Sequence, residues 1–235
     1  MEDKNTWMLK FEECEPANRL ITKIKKAHLI TEKRVDIMEI KKAIYYARKY
    51  HGTQMRQSGE PYYHHTVEVA IIGCYDLFRT DLLVTSILHD TIEDTSLTRI
   101  MISDIFGKIS AEQVEDLTRI KFDRKISAEE TLDILFAQHK NEILSIKLFD
   151  RLHNMRTIGA KSPEKGRKIV DETLNYFLPI AAHIGLRDVE EELRQICARI
   201  IEPNKPQLQT RRFFNSSYQL PSLVSQNEIE RKKSQ

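Results

Sequence analysis

Apolar residues recur at three- and four-residue spacing through nearly every segment of this 235-residue chain, and only seven glycines interrupt it. That spacing matches the turn of an α-helix, while the strict alternation of a half-buried strand is hard to find. The pattern predicts an all-α fold with helices over 17–29, 35–51, 66–78, 82–92, 97–106, 110–120, 128–139, 142–155, 163–183 and 189–201. Thr31, Ser110 and Ser127 precede or open helices as caps, and Ser162-Pro163 places proline where a first turn tolerates it. Pro179 falls inside a helical pattern and should kink or break it. The length suits one large domain or two small ones, with core enough for independent stability.

One of these helices ends in unusual chemistry. The run Ser86-Ile87-Leu88-His89-Asp90-Thr91-Ile92-Glu93-Asp94 sets an imidazole and three carboxylates directly after the apolar residues Leu82, Leu83, Val84, Ile87 and Leu88. On a continuous helix, His89 and Glu93 stack along one face and Asp90 and Asp94 along its neighbour. Acidic groups beside a core-facing run are costly to bury unless something positive lies among them. A metal ion is the simplest candidate. Taken alone, the motif reads more cheaply as a polar helix end followed by a cap.

Two further segments supply complementary groups. Gly59-Glu60-Pro61 marks a turn before Tyr62-Tyr63-His64-His65, so one of the two histidines lies at a helix start and can point into a cleft. Asp150 stands in the apolar run Ile146-Lys147-Leu148-Phe149, with Asn154 on the same face four residues on. A carboxylate there either pairs with Arg151 or Arg156 or holds a metal, and on its own the ion pair is the simpler reading.

Together, His65, then His89-Asp90, then Asp150 resembles the HD metal-dependent phosphohydrolase superfamily. More narrowly, RQSGEPYYHHTVEVA, ILHDTIEDTSLT, IKLFDRLHNMRT and DETLNYFLPIAAHIGL resemble the hydrolase domain of the RelA/SpoT family, from about Asn18 to Pro203. That family cleaves the alarmones (p)ppGpp, releasing pyrophosphate from the 3′ side and leaving GDP or GTP. The resemblance implies a multi-helix HD-domain bundle over 17–203; the N-terminal extension (1–16) falls outside it, and the polar, irregular stretch 204–235 reads as a mostly disordered tail. It implies that His65, His89, Asp90 and Asp150 bind Mn²⁺, with His64 the rival of His65. A mixed nitrogen and oxygen set without thiolate suits a mid-series divalent ion more than a structural zinc. By the same resemblance Glu93 and Asp94 orient and deprotonate the attacking water, and Arg56, Asn154 and Thr157 contact a guanine nucleotide. The longer relatives continue into a synthetase domain, so this sequence resembles a stand-alone alarmone hydrolase or the hydrolase part of a longer enzyme.

Two positions depart from the family pattern. Gln57 stands where a lysine is usual, and Phe177 where a tyrosine is usual. Losing one ion pair and one hydrogen bond would weaken ground-state binding by roughly 1–3 kcal/mol. The departures leave room for two alternatives, an HD phosphohydrolase of another nucleotide such as NADPH, or a degenerate binding module that keeps its metal.

A net charge of +2 gives no strong pull toward nucleic acid or membrane. Lys161, Lys165, Arg167 and Lys168 cluster after the Asn154 segment, and read most simply as a solvated face. Cys14, Cys74 and Cys197 are far apart and odd in number, which fits a reducing cytoplasm rather than a disulfide framework. No apolar run approaches a membrane span, and the acidic N-terminus does not read as a signal peptide. Trp7, Met8, Leu9 and Phe11 could dock a short helix on the body or on a partner. His28, His51, His139, His153 and His183 read as ordinary helix residues. The oligomeric state is open.

Overall fold

The structure, a computed structural model, describes residues 6–121 and 124–202. The expected tail, with residues 1–5, lies outside them. The described chain runs α1 (Thr6–Lys10), α2 (Glu15–Ile30), α3 (Ile37–His51), α4 (Tyr62–Ile72), α5 (Thr80–Leu88), α6 (Thr91–Asp94), α7 (Arg99–Phe106) and α8 (Lys108–Leu117). A two-residue antiparallel ribbon follows, β1 (Ile120–Lys121) with β2 (Arg124–Lys125), pairing Ile120 with Lys125. Then come α9 (Ala128–Ala137), α10 (Asn141–Arg156), α11 (Pro163–Glu172), α12 (Leu178–His183) and α13 (Arg187–Ile201). The fold class is all-α, as expected. The ribbon replaces the end of the helix expected over 110–120.

The middle of the bundle is fixed by two largely buried helices. Every residue from Leu82 to Leu88 in α5 is buried, and α4 buries Tyr63, His65, Thr66, Val67, Val69 and Ala70 while His64 and Glu68 remain partly exposed. Helices that bury most of their circumference must be covered on several sides. Accordingly α4 lies against α2, α3, α5 and α10, and α5 against α3, α4 and α8. Burying each large aliphatic side chain here contributes about 1.5–3 kcal/mol. At the end of α4, Gly73 permits a close approach. A methyl group there would stand 2.5 Å from the Phe149 ring of α10. That contact sets the spacing of the two helices that carry His65 and Asp150.

Side chains mark most helix ends. Asp36 caps α3 by accepting from the Met38 and Glu39 amides, and Ser127 forms a reciprocal capping box with Glu130. Ser162 caps α11 with Pro163 in its first turn. Thr31 instead closes α2, its amide and hydroxyl both donating to the Ala27 carbonyl, and Ser110 is buried inside α8. Gly107, at φ 89°, is the single residue between α7 and α8. Trp7 buries itself (5% exposed) where α1 meets α3, while Leu9 is left outside.

The helix expected over 66–78 runs instead over Tyr62–Ile72, and two others depart from their expected course. The expected helix 82–92 ends at Leu88, and His89 and Asp90 form a turn before α6. Two side chains capture carbonyls there, His89 Nδ1 that of Ser86 (2.8 Å) and Thr91 Oγ1 that of Leu88 (2.7 Å). Such side-chain bonds compete with the helical ladder. The second is the segment 163–183, where a π-helical turn over Thr173–Phe177 joins α11 to α12. This turn lies just before Pro179, and the widened stride accommodates the proline without ending the helix.

Candidate functional site

Three separate parts of the fold converge on one cluster. His65 comes from the first turn of α4, His89 and Asp90 from the turn between α5 and α6, and Asp150 from the middle of α10. His65 Nε2 is 3.1 Å from Asp150 Oδ1 and 3.8 Å from Asp90 Oδ2. His89 Nε2 is 3.2 Å from Asp90 Oδ2 and 3.8 Å from Asp150 Oδ1. Ligand atoms about 2.0–2.1 Å from an octahedral ion stand roughly 3 Å apart when adjacent and roughly 4 Å apart when opposite, so the two shorter edges match adjacent ligands and the two at 3.8 Å lie between these limits. His64, by contrast, is only half-buried and its ring packs edge-on against Tyr63. Arg151 and Arg156, the rival partners for Asp150, pair with Glu172 and Glu192.

The hydrogen bonds behind the two histidines settle which nitrogen each presents. His89 Nδ1 donates to the Ser86 carbonyl, which leaves Nε2 as the lone pair. His153 Nδ1 receives the Arg56 guanidinium at 3.4 Å and lies 2.8 Å from His65 Nδ1. An arginine only donates, so His153 Nδ1 is an acceptor and His65 Nδ1 carries the hydrogen. In the neutral form of each ring, which an ion in place of the proton would require, Nε2 therefore turns its lone pair toward the carboxylates. Partners that fix the imidazole tautomer in this way are the usual support of metal-binding histidines.

A metal ion fits the charge as well as the distances. His89 Nε2 is buried and makes no hydrogen bond among the described residues. Burial pushes the His89 pKa down, but Asp90 and Asp150 outweigh it and raise it to about 10. Burial likewise works against both carboxylates, yet the two histidines hold Asp90 and Asp150 below the usual range. The cluster thus calls for a cation in its centre. His65, His89 and Asp150 form a candidate divalent-metal site, their ligand atoms all within 4.8 Å of one another, with Asp90 beside them.

Glu93 and Asp94 go separate ways, because the turn at His89-Asp90 removes the continuous face expected for them. Glu93 is 2.8 Å from Arg119 Nη2 and 2.7 Å from Lys125 Nζ. Burial raises its pKa, but these two cations prevail and lower it. Asp94 instead accepts from the Tyr62 hydroxyl at 3.1 Å, and its pKa is raised by burial and then by Asp90.

The three residues expected to contact substrate form a second cluster alongside. Arg56 Nη2 donates to Asn154 Oδ1 (2.7 Å) and lies 3.4 Å from Thr157 Oγ1. Asn154 Nδ2 donates to Asp150 Oδ1 at 2.7 Å, which ties the two clusters together. Lys161 faces Arg56 closely enough that burial and this neighbour lower its pKa. Gln57 is exposed. Phe177 is 4% exposed, with the Arg151 guanidinium 3.9 Å above its ring, so little of the ring is left for a ligand.

Sequence reasoning missed several neighbours. Tyr62 and His51 stack beside the cluster, and Gln54 bonds to His51. Tyr62 lies three residues before His65, a spacing that marks one helix face. His153, read as an ordinary helix residue, sets the orientation of His65. Arg119 stands immediately before the ribbon and Lys125 within it, in a stretch without periodic apolar signal.

The sequence profile of the HD domain matches residues 43–187, which takes in both clusters. The chain belongs to the HD domain family. Within that family it is of RelA/SpoT type. This HD domain is 38% identical over 171 residues to the GTP pyrophosphokinase rsh of Brucella ovis, covering 70% of this chain but 23% of that protein. It is also 38% identical over 175 residues to the bifunctional (p)ppGpp synthase/hydrolase SpoT of Escherichia coli K12, covering 72% of this chain and 25% of the relative. The chain thus spans about a quarter of the length of these relatives. A solved structure reported under the words "A metazoan ortholog of SpoT hydrolyzes ppGpp and plays a role in starvation responses" superposes with a TM-score of 0.51. It is 22% identical, with 67% of this chain and 93% of that one covered, and shows the likeness of fold. Among the described residues no helix is long and apolar enough to cross a membrane.

Proposed function

We propose that this HD domain is a Mn²⁺-dependent (p)ppGpp 3′-pyrophosphohydrolase acting in alarmone turnover in the cytoplasm. What carries the reading is the Asn154 side chain, which joins the cluster built for a cation to an arginine suited to an anionic nucleotide. His65, His89, Asp90 and Asp150 hold the ion. Bound there, it lowers the pKa of a water and offsets charge on the phosphoryl oxygens.

The chain's own residues do the rest. Arg56 presents a planar guanidinium that forks onto phosphate or stacks on a purine, and Asn154 and Thr157 fix it in place. Lys161 adds positive potential on the same side. Asp94, with its raised pKa, takes the proton of the attacking water. The water oxygen bonds to the phosphorus attached at the 3′ oxygen, the bond from that phosphorus to the 3′ oxygen breaks, and the 3′ oxygen takes up a proton. GDP or GTP and pyrophosphate leave. Glu93, held by Arg119 and Lys125, anchors the ribbon beside the site rather than handling the proton.

The test is pyrophosphate release from ppGpp by the full chain with and without added Mn²⁺. Release that needs the ion and is abolished in Asp150→Ala supports the assignment. Turnover of NADPH with none of ppGpp would overturn the substrate and leave the HD chemistry standing.

A further inference from the structure

Between the ion-binding carboxylate and the proton-accepting one stands a side chain that neither role includes. The Tyr62 hydroxyl lies 3.1 Å from Asp90 Oδ2 and 3.1 Å from Asp94 Oδ2. A phenol carries one proton and can donate to only one carboxylate at a time. The other carboxylate then faces the phenol's lone pairs.

The ring that carries this hydroxyl is braced from behind. It stacks on His51, with centroids 4.8 Å apart and planes at 22°. His51 is itself 2% exposed, and its Nδ1 lies 2.8 Å from Gln54 Oε1. Gln54 Nε2 donates to the Asp94 carbonyl at 2.9 Å, so its oxygen is the end that receives His51. The contacts close a ring: Asp94 backbone, Gln54, His51, Tyr62, and back to the Asp94 carboxylate. Nothing in the ion cluster or the Arg56 cluster requires such a brace.

We propose that Tyr62 is a positioning residue, whose hydroxyl aims the Asp94 carboxylate at the attacking water once Asp90 is committed to a cation. With Asp90 charge taken up by an ion, the single phenol proton turns to Asp94. Occupancy of the ion cluster and the orientation of the base are thereby linked through one oxygen atom. This inference rests on Asp94 being the base of the reaction proposed above.

Tyr62→Phe keeps the ring and its stack on His51 while removing the hydroxyl. The full chain and this variant are compared for ppGpp hydrolysis, for Mn²⁺ affinity by the free-ion electron spin resonance signal, and in crystals grown with Mn²⁺. The expected result is a kcat lowered about 10- to 100-fold with KM within about twofold, since an interaction that acts on the base alone does not alter substrate binding. Mn²⁺ affinity should hold within about threefold, and the Asp94 carboxylate should leave its wild-type position. An unchanged kcat, a loss carried by KM, or an Mn²⁺ affinity that falls as far as kcat would each overturn it. If the wild type hydrolyses no ppGpp, the functional reading fails separately and the crystals decide. An Asp94 carboxylate unmoved by the substitution then refutes the positioning role, and a displaced one upholds it.

Discussion

Single side chains in this protein are held by opposing demands, and Glu93 and Asp94 show how adjacent carboxylates acquire different work. Asp94 sits beside a tyrosine and another carboxylate, and in the proposed reaction it is the proton acceptor. Asp94→Asn should therefore lower kcat by about 10²–10⁴-fold, the usual share of a general base, with Mn²⁺ affinity retained. Steady-state kinetics alongside Mn²⁺ titration check this, and a large fall in affinity would assign Asp94 to the ion instead. Glu93 is 9% exposed and held by Arg119 and Lys125, which are 38% and 59% exposed. Water screens those cations, so Glu93→Gln should cost about 1 kcal/mol at neutral pH. The sign with pH follows from its lowered pKa. The folded state binds this proton less readily than the unfolded state, so the stabilisation is full above the unfolded value near 4.5 and fades as pH falls through the folded value. Melting curves of wild type and Glu93→Gln should diverge at pH 7 and converge as the solution is made acid. A gap that widens in acid would contradict the assignment.

At the scale of elements, the packing of α4 on α10 decides how well the cluster is held. Gly73→Ala would press a methyl group to 2.5 Å from the Phe149 ring, and Phe149 is an aromatic in a filled core. Relief requires the two helices to separate or the ring to leave its rotamer, at about 1–3 kcal/mol. The unfolding free energy from urea titration should fall by that amount, and Mn²⁺ affinity with it, because Asp150 follows Phe149. Unchanged affinity at reduced stability would mean that the ring yields and the helix does not. The long helices were legible because their apolar residues repeat every three or four positions, as in α2, α3 and α10. The same rule misplaced α4, whose first turn buries Tyr63 and His65 where only aliphatic residues had been counted. It also ran α5 straight through His89, because periodicity cannot register a histidine and a threonine that capture carbonyls. His65, His89 and Asp150 were legible as a group only by their resemblance to a known motif. Tyr62, His51 and Arg119 were not, since their roles come from contacts between segments far apart in the chain.

For the whole molecule, the ion cluster joins α4, the turn after α5 and α10 at one point. Two half-buried carboxylates placed about an imidazole pair repel one another unless a cation lies among them. An ion bound to the folded chain and not to the unfolded one adds RT ln(1 + [L]/Kd), or about 2.7 kcal/mol at a hundred times the dissociation constant. For a chain of this size each kilocalorie moves the melting temperature by roughly 2–4 °C. Stripping metal with a chelator should therefore lower Tm by about 5–10 °C, and added Mn²⁺ should restore it. Asp150→Asn should lose most of this response, because it removes a charge that the ion neutralises while keeping the shape of the side chain. Hydrogen exchange offers a local check, since ion binding should slow the amides of α4 and α10 and leave α7 unaffected. Uniform slowing throughout the bundle would show that the ion merely shifts global unfolding, and a wild type that does not respond, or an Asp150→Asn variant that responds as fully as wild type, would remove the cluster as a metal site.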